Sequence, residues 1–213
     1  MKTPRPLPAH RVGARPLALY VRSRGIPTTL AILAGAALLT AWAANRPDAY
    51  LDPYRRVPLI ALAPLLASAA VVGGLHTHSP ELDSTAVRPW WPRRLGHLLA
   101  LSAVAALLLA LSVPGHSQQF GAAAMVRNTL GGIGITTVAA TVLGARLSWM
   151  PTTLYFSAVY LSASSPRVSN ATVLAWSMQP GPQRGAWLVG LALFVAGSAL
   201  YATLGARPEG SRV

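Results

Sequence analysis

The sequence predicts an all-α fold, a polytopic transmembrane helical bundle of about six spans, and three observations carry that expectation. Of the 213 residues, 53% are hydrophobic and only 11% are charged, against roughly 25% charged in an ordinary globular domain. The charges are lopsided, 18 basic against 5 acidic, and they fall between apolar runs rather than inside them. Six charge-free runs of 17 to 19 residues recur along the chain, each about the length a helix needs to cross a hydrocarbon core of ~30 Å. A soluble nucleic-acid-binding domain with a net charge of +13 would carry far more charge, and a disordered basic tail would be far less apolar. The expected partner is therefore the lipid bilayer, with no nucleic acid.

The whole chain, 1–213, reads as a single integral-membrane domain. Residues 1–26 are a basic leader holding Lys2, Arg5, Arg11, Arg15, Arg22 and Arg24. The first span, 27–44, follows it and carries small residues every four positions at Ala36, Thr40 and Ala44. Ala41 and Ala43 fit a signal-cleavage pattern, but leader and apolar run are both long for a cleaved signal, so a retained helix is expected. The second span, 57–75, and the third, 95–113, flank the long loop 76–94. The fourth, 128–144, and fifth, 147–163, are short, rich in Gly, Thr and Ser, and separated only by Ala145 and Arg146, which reads as a tight hairpin or a partly re-entrant pair. The sixth, 186–204, is dense in Leu, Ala and Val.

Orientation follows from the arginines. With the N-terminus inside, 12 basic residues lie on the cytoplasmic side and 6 outside, among them Arg127 and Arg184. Cytoplasmic loops carry the excess of Lys and Arg, so both termini are expected inside, in a multi-pass protein of the inner or plasma membrane.

The spans hold no Asp, Glu, Lys or Arg in their interiors. Ion-coupled transporters usually place ionisable groups there despite the desolvation cost, which weakens that reading. It weakens an intramembrane enzyme too, since the only candidate base within a span is His97, at the start of the third, where it fits an interfacial position. There is no cysteine, and no Gly-rich phosphate loop of the kind that ends in Lys-Ser/Thr, because the single lysine is Lys2. The pair His76 and His78, followed by Glu81 and Asp83, has ligand residue types but no zinc-type spacing and no further His or Cys nearby. No cofactor, metal or catalytic residue is expected. The polar residues Thr152, Thr153, Ser157 and Tyr160 of the fifth span suit a lining or simple packing.

Two patterns stand out. Gly132, Thr136, Ala140 and Gly144 recur every four residues, so four small side chains share one helix face. Such a stripe lets helix backbones approach closely, either within the bundle or at a dimer seam. The other pattern is the loop His76 to Arg94, with Glu81, Asp83 and Arg88, then Trp90 and Trp91 between Pro89 and Pro92, then Arg93 and Arg94. Ser79 and Pro80 suit the start of a short surface helix that Pro89 ends. The loop is either an interfacial anchor, its tryptophans at headgroup depth, or a docking element for a cytoplasmic partner.

Here the chain resembles the permease subunits of the ABC type-2 exporter family. The resemblance lies in the six-span plan with both ends inside and in the stretch from Glu81 to Leu99, with Glu81, Arg88, Arg93 and Arg94 as the aligned polar positions. It implies that this loop, with Asp83, Trp90 and Trp91, is a coupling helix seated on a cytoplasmic ABC ATPase subunit. It also implies a homodimer, or a heterodimer with a related permease, and ATP hydrolysis by the partner chain. The chain is shorter than most such permeases. Where the family has re-entrant helices before its last span, this chain has only 164–185, an irregular loop by its Pro166, Pro180 and Pro182, with Trp176 placed to dip into the outer headgroup layer. Arg15, Arg22 and Arg24 suit an interface helix that Pro16 and Gly25 limit to about two turns. The other reading left open is a non-transporting multi-span scaffold or an immunity or accessory protein.

Overall fold

The computed structural model describes residues 25–45, 53–75, 91–113, 121–162 and 174–207. These form six α-helices and one 3-10 turn, with no strand among the described residues. The helices are α1 (Ile26–Ala44), α2 (Pro53–Gly73), α3 (Trp91–Ser112), α4 (Ala122–Leu143), α5 (Trp149–Ser162) and α6 (Arg184–Leu204), with the 3-10 turn Trp176–Met178 just ahead of α6.

Each helix falls on one of the apolar runs, and the boundaries shift for physical reasons. A proline near the start of a helix removes no needed hydrogen bond, so α1 begins with Pro27 in its first turn and α3 takes in Pro92. As a result Trp91, Arg93 and Arg94 sit on the first turn of α3 rather than in a loop before it. The helix α4 starts at Ala122, six residues before the expected Asn128, and this brings Arg127 into the helix. The helices α4 and α6 end on Gly144 and Gly205, whose φ angles of 86° and 75° lie in the left-handed region that only glycine adopts without strain.

Among the described residues, three helices, α1, α3 and α6, are long and apolar enough to cross a membrane. The protein is therefore an all-α membrane protein. In α2 the apolar stretch among the described residues is Leu62–Gly73. The 14 residues of α5 span only about 21 Å at 1.5 Å per residue. Glycines, threonines, Arg127 and Asn128 dilute the apolarity of α4.

That dilution has a structural cause, because α4 is the centre of the bundle. It packs most extensively on α6 and also meets α2, α3 and α5, with residues buried along its whole length from Ala124 to Ala140. The main core gathers Leu33 of α1, Val71 of α2, Leu98, Leu101 and Leu109 of α3, Met125 and Ile133 of α4 and Tyr201 of α6. Large apolar side chains also point outward, including Leu38 and Leu39 on α1, Leu107 and Leu111 on α3 and Leu154 on α5. An apolar exterior around a polar-containing centre is the distribution that lipid solvent permits.

Pairings between helices establish their relative directions. Thr136 and Thr152 share a hydrogen bond of 2.6 Å, and Gly132 faces Phe156. Each of these pairs is symmetric about Gly144, so α4 and α5 form an antiparallel hairpin around the turn 144–148. By contrast Gly190 packs on Arg127 and Gly197 on Gly134, a constant offset of 63 that makes α4 and α6 parallel. Tyr201 Oη donates to the carbonyl of Leu75 at 3.2 Å, bringing the last turns of α6 and α2 together, and Gly74 lies against Thr29 near the start of α1. Arg94, at the start of α3, lies against Gly205 at the end of α6. The six helices thus alternate in direction. One end of the bundle holds the start of α1 and is called the leader end; the other holds the 3-10 turn.

Candidate functional site

The most elaborate polar arrangement among the described residues lies where the segment 174–183 folds back against α4, α5 and α6. A segment without regular structure must find partners for its carbonyls, and in a low-dielectric setting an unpaired one is costly. Five of them are met by helix side chains. Tyr155 Oη donates to Leu174 O at 3.1 Å, Asn128 Nδ2 to Ser177 O at 2.8 Å and Trp187 Nε1 to Gly181 O at 2.8 Å. Arg127 donates through Nη1 to Pro180 O at 2.9 Å and through Nη2 to Gln179 O at 2.7 Å, with a longer contact of 3.4 Å to Ser177 O. Its Nε donates to Asn128 Oδ1 at 3.1 Å, which orients the fork.

Arg127 is fully buried. Its hydrogen-bond partners among the described residues are carbonyl and amide oxygens. Bonds with one charged partner are roughly twice as strong as neutral ones, and the rigid fork of donors suits several fixed acceptors at once. Lysine, a point charge on a flexible stem, cannot reproduce that geometry.

Trp176 completes the arrangement and is 2% exposed. Its ring stacks on Tyr155 at a centroid separation of 5.7 Å and an interplanar angle of 11°. Phe156 meets it edge-on at 6.3 Å. The indole presses on Gly131 so closely that a Cβ there would overlap it, and Gly190 faces the same ring at ordinary contact distance. The expectation that Trp176 dips into the headgroup layer is therefore corrected: glycines on α4 and α6 open a slot, and burial of the large indole among aromatic rings outweighs interfacial placement. Arg127, expected in an external loop, is likewise an interior residue, because its hydrogen-bond partners arrive from the folded-back segment.

At the leader end, Trp91 and Arg93 are exposed on the first turn of α3, while Arg94 is half-buried against Gly205. Arg207 donates from its backbone N–H to Ala140 O at 3.0 Å and from Nη1 to Val142 O at 3.1 Å. Two cations thus sit at the C-terminal ends of α4 and α6, where the helix dipole favours positive charge. Glu81, Asp83, Arg88 and Trp90 lie outside the described residues, as do His76, His78, Arg15, Arg22 and Arg24 and the short helix expected at Ser79.

Of the small-residue stripe, Gly132 lies against Ser68 of α2 and Phe156 of α5, Thr136 bonds to Thr152, Ala140 is buried, and Gly144 caps α4. The closer approach lies on another face of α4. At Gly134 an added Cβ would collide with the backbone of Leu193, and at Gly197 with Gly134 O and Thr137 Oγ1. Sequence reading missed both this seam and the Arg127 cluster. The available signal was an isolated Arg-Asn pair at the head of an otherwise uncharged run of 22 residues.

Among the described residues no group of three His, Cys, Asp or Glu side chains is placed to hold a metal ion. Fold and site together define an α-helical membrane protein whose last helix is preceded by a segment stapled back into the bundle. Comparison with known protein families, characterised proteins and solved structures finds no match.

Proposed function

We propose that the chain is a permease-like subunit of an ABC-type exporter in the inner or plasma membrane, its six helices all crossing and both termini cytoplasmic. The observation that carries this reading is the layout of the leader end. Trp91 and Arg93 are exposed directly after the loop that holds Glu81, and Arg94, one residue on, rests against the end of α6. A partner ATPase gripping that loop and the first turn of α3 would move α3 and, through Arg94, α6. The alternating helix directions support six crossings, with the polar α4 shielded by its neighbours.

Because small residues let the helices close on one another, a substrate path would form between two subunits rather than through one. That same close packing at Gly134 and Gly197 is what favours the second reading, a scaffold that moves nothing.

The test is affinity purification in mild detergent from the native host. Copurification of an ATPase with Walker motifs, lost on Arg93→Glu without loss of the membrane protein itself, is the expected result. Recovery of the chain with no ATPase, or an ATPase whose binding ignores Arg93→Glu, would overturn the coupling role.

A further inference from the structure

At the leader end the turn between α4 and α5 lies against the end of α6. Gly144, which closes α4, faces the backbone of Arg207, and Arg207 in turn donates from Nη1 to Val142 O at 3.1 Å. Arg146 follows Gly144 by at most ~7 Å of chain, in a turn held by Ser148 Oγ donating to Ala145 O at 2.8 Å and by Met150 N–H donating to Leu147 O at 3.1 Å. Arg146 and Arg207 are both exposed. We propose that these two arginines bind the headgroup phosphate of an anionic phospholipid, with Trp149 beside it at the depth of the ester groups.

Charge and layering both argue for that occupant. Among the described residues Arg146 makes no hydrogen bond or ion pair, and the side chain of Arg207 makes only the bond to Val142 O, so both keep donors for a further acceptor. A guanidinium fork matches the oxygens of a phosphate, and basic sites between helix ends are where anionic headgroups are held. Helix α6 is long and apolar enough to cross a membrane, so its C-terminal end, where Arg207 stands, falls at headgroup level. Directly beneath the two cations, Val142 and Leu143 of α4, Leu204 of α6 and Met150 of α5 are exposed, and so is the indole of Trp149. Cation, indole and aliphatic side chain in that order follow the phosphate, ester and acyl layers of a bilayer, and tryptophan is enriched at the middle depth. A soluble acidic partner would match the charge and leave the apolar groups below it uncovered. Neither arginine belongs to the loop or the first turn of α3 that the exporter reading gives to an ATPase, so the two readings fail separately.

The experiment places the full chain in nanodiscs of mixed phosphatidylglycerol and phosphatidylcholine and counts, by native mass spectrometry, the lipids that stay with it on release. Phosphatidylglycerol is expected to be retained over phosphatidylcholine by about five-fold for each of the two arginines. Arg146→Gln, at an exposed turn position, should remove one of those factors, and Arg146→Gln with Arg207→Gln should remove both; if the double variant fails to fold, Arg146→Gln alone decides. Arg184→Gln is the control: it removes an exposed arginine at the opposite end of the bundle, at the start of α6, and should leave retention unchanged. Equal retention of the two lipids by the unaltered chain overturns the proposal. So does a phosphatidylglycerol preference that survives loss of both arginines, which would put the lipid on another surface, or one that Arg184→Gln weakens as much, which would make it a response to net charge. Inorganic phosphate at equal ionic strength should not displace the lipid, and displacement would overturn the assignment in favour of a free anion.

Discussion

The Nη2 atom of Arg127 donates to the carbonyl of Gln179 at 2.7 Å, joining residues 52 positions apart and fastening the segment before α6 to the central helix. The rest of the fork, with Asn128, extends the same fastening to Ser177 and Pro180.

Arg127→Ala is expected to lower stability by about 3 kcal/mol or more, because each lost bond from a charged donor contributes ~1.5–3 kcal/mol and the buried carbonyls are left unpaired. Arg127→Lys should recover only part of that loss, since one ammonium cannot serve the same acceptors. Thermal unfolding in mild detergent measures both, and protease cleavage between 174 and 183 should rise in parallel.

Trp176 and Gly131 are coupled by contact. Trp176→Ala should cost about 3–5 kcal/mol through the cavity it leaves, and Gly131→Ala about 1–3 kcal/mol through the displaced indole. In the Trp176→Ala background the cost of Gly131→Ala should vanish. A double-mutant cycle showing simple additivity would contradict the close contact.

The α4–α6 seam discriminates among glycines. Gly134→Leu and Gly197→Leu should abolish monodisperse protein, because the added atoms meet the backbone of the facing helix at both positions. Gly35 and Gly96 have open space where a Cβ would go, so Gly35→Ala and Gly96→Ala should be neutral or stabilising by up to about 1 kcal/mol. Size-exclusion profiles and melting curves compare the four.

Thr136 and Thr152 test how much a buried interhelical hydrogen bond contributes here. Replacing both with Val, singly and together, should return a coupling of about 0.6 kcal/mol, the average for such bonds in membrane bundles. A negligible coupling would leave packing alone to hold the α4–α5 hairpin.

The proposed orientation is open to labelling because the chain has no cysteine of its own. Ala86→Cys and Gly210→Cys should resist a membrane-impermeant thiol reagent in intact cells, and Pro182→Cys, at an exposed position beside the stapled segment, should react. The reverse pattern would invert the topology.

Helix positions were legible in the sequence because an apolar run bounded by charge and proline is a local property. All six expected spans overlap an observed helix, and the Gly132 to Gly144 spacing marked α4 as a helix able to pack closely. The boundaries were less legible: Arg127 looked like the end of a span, and it became interior only because partners on 174–183 satisfy it.

The sequence by itself determined that this is an all-α membrane protein, where its helices fall and where its charge is concentrated. Tertiary structure alone decided which faces of those helices meet. Most of them are apolar all round, so no amphipathic stripe announces the inward side. The seam at Gly134 and Gly197, the slot for Trp176 and the burial of Arg127 each depend on groups dozens of residues apart arriving at one place. Only the packed bundle, with α4 at its centre, brings them there.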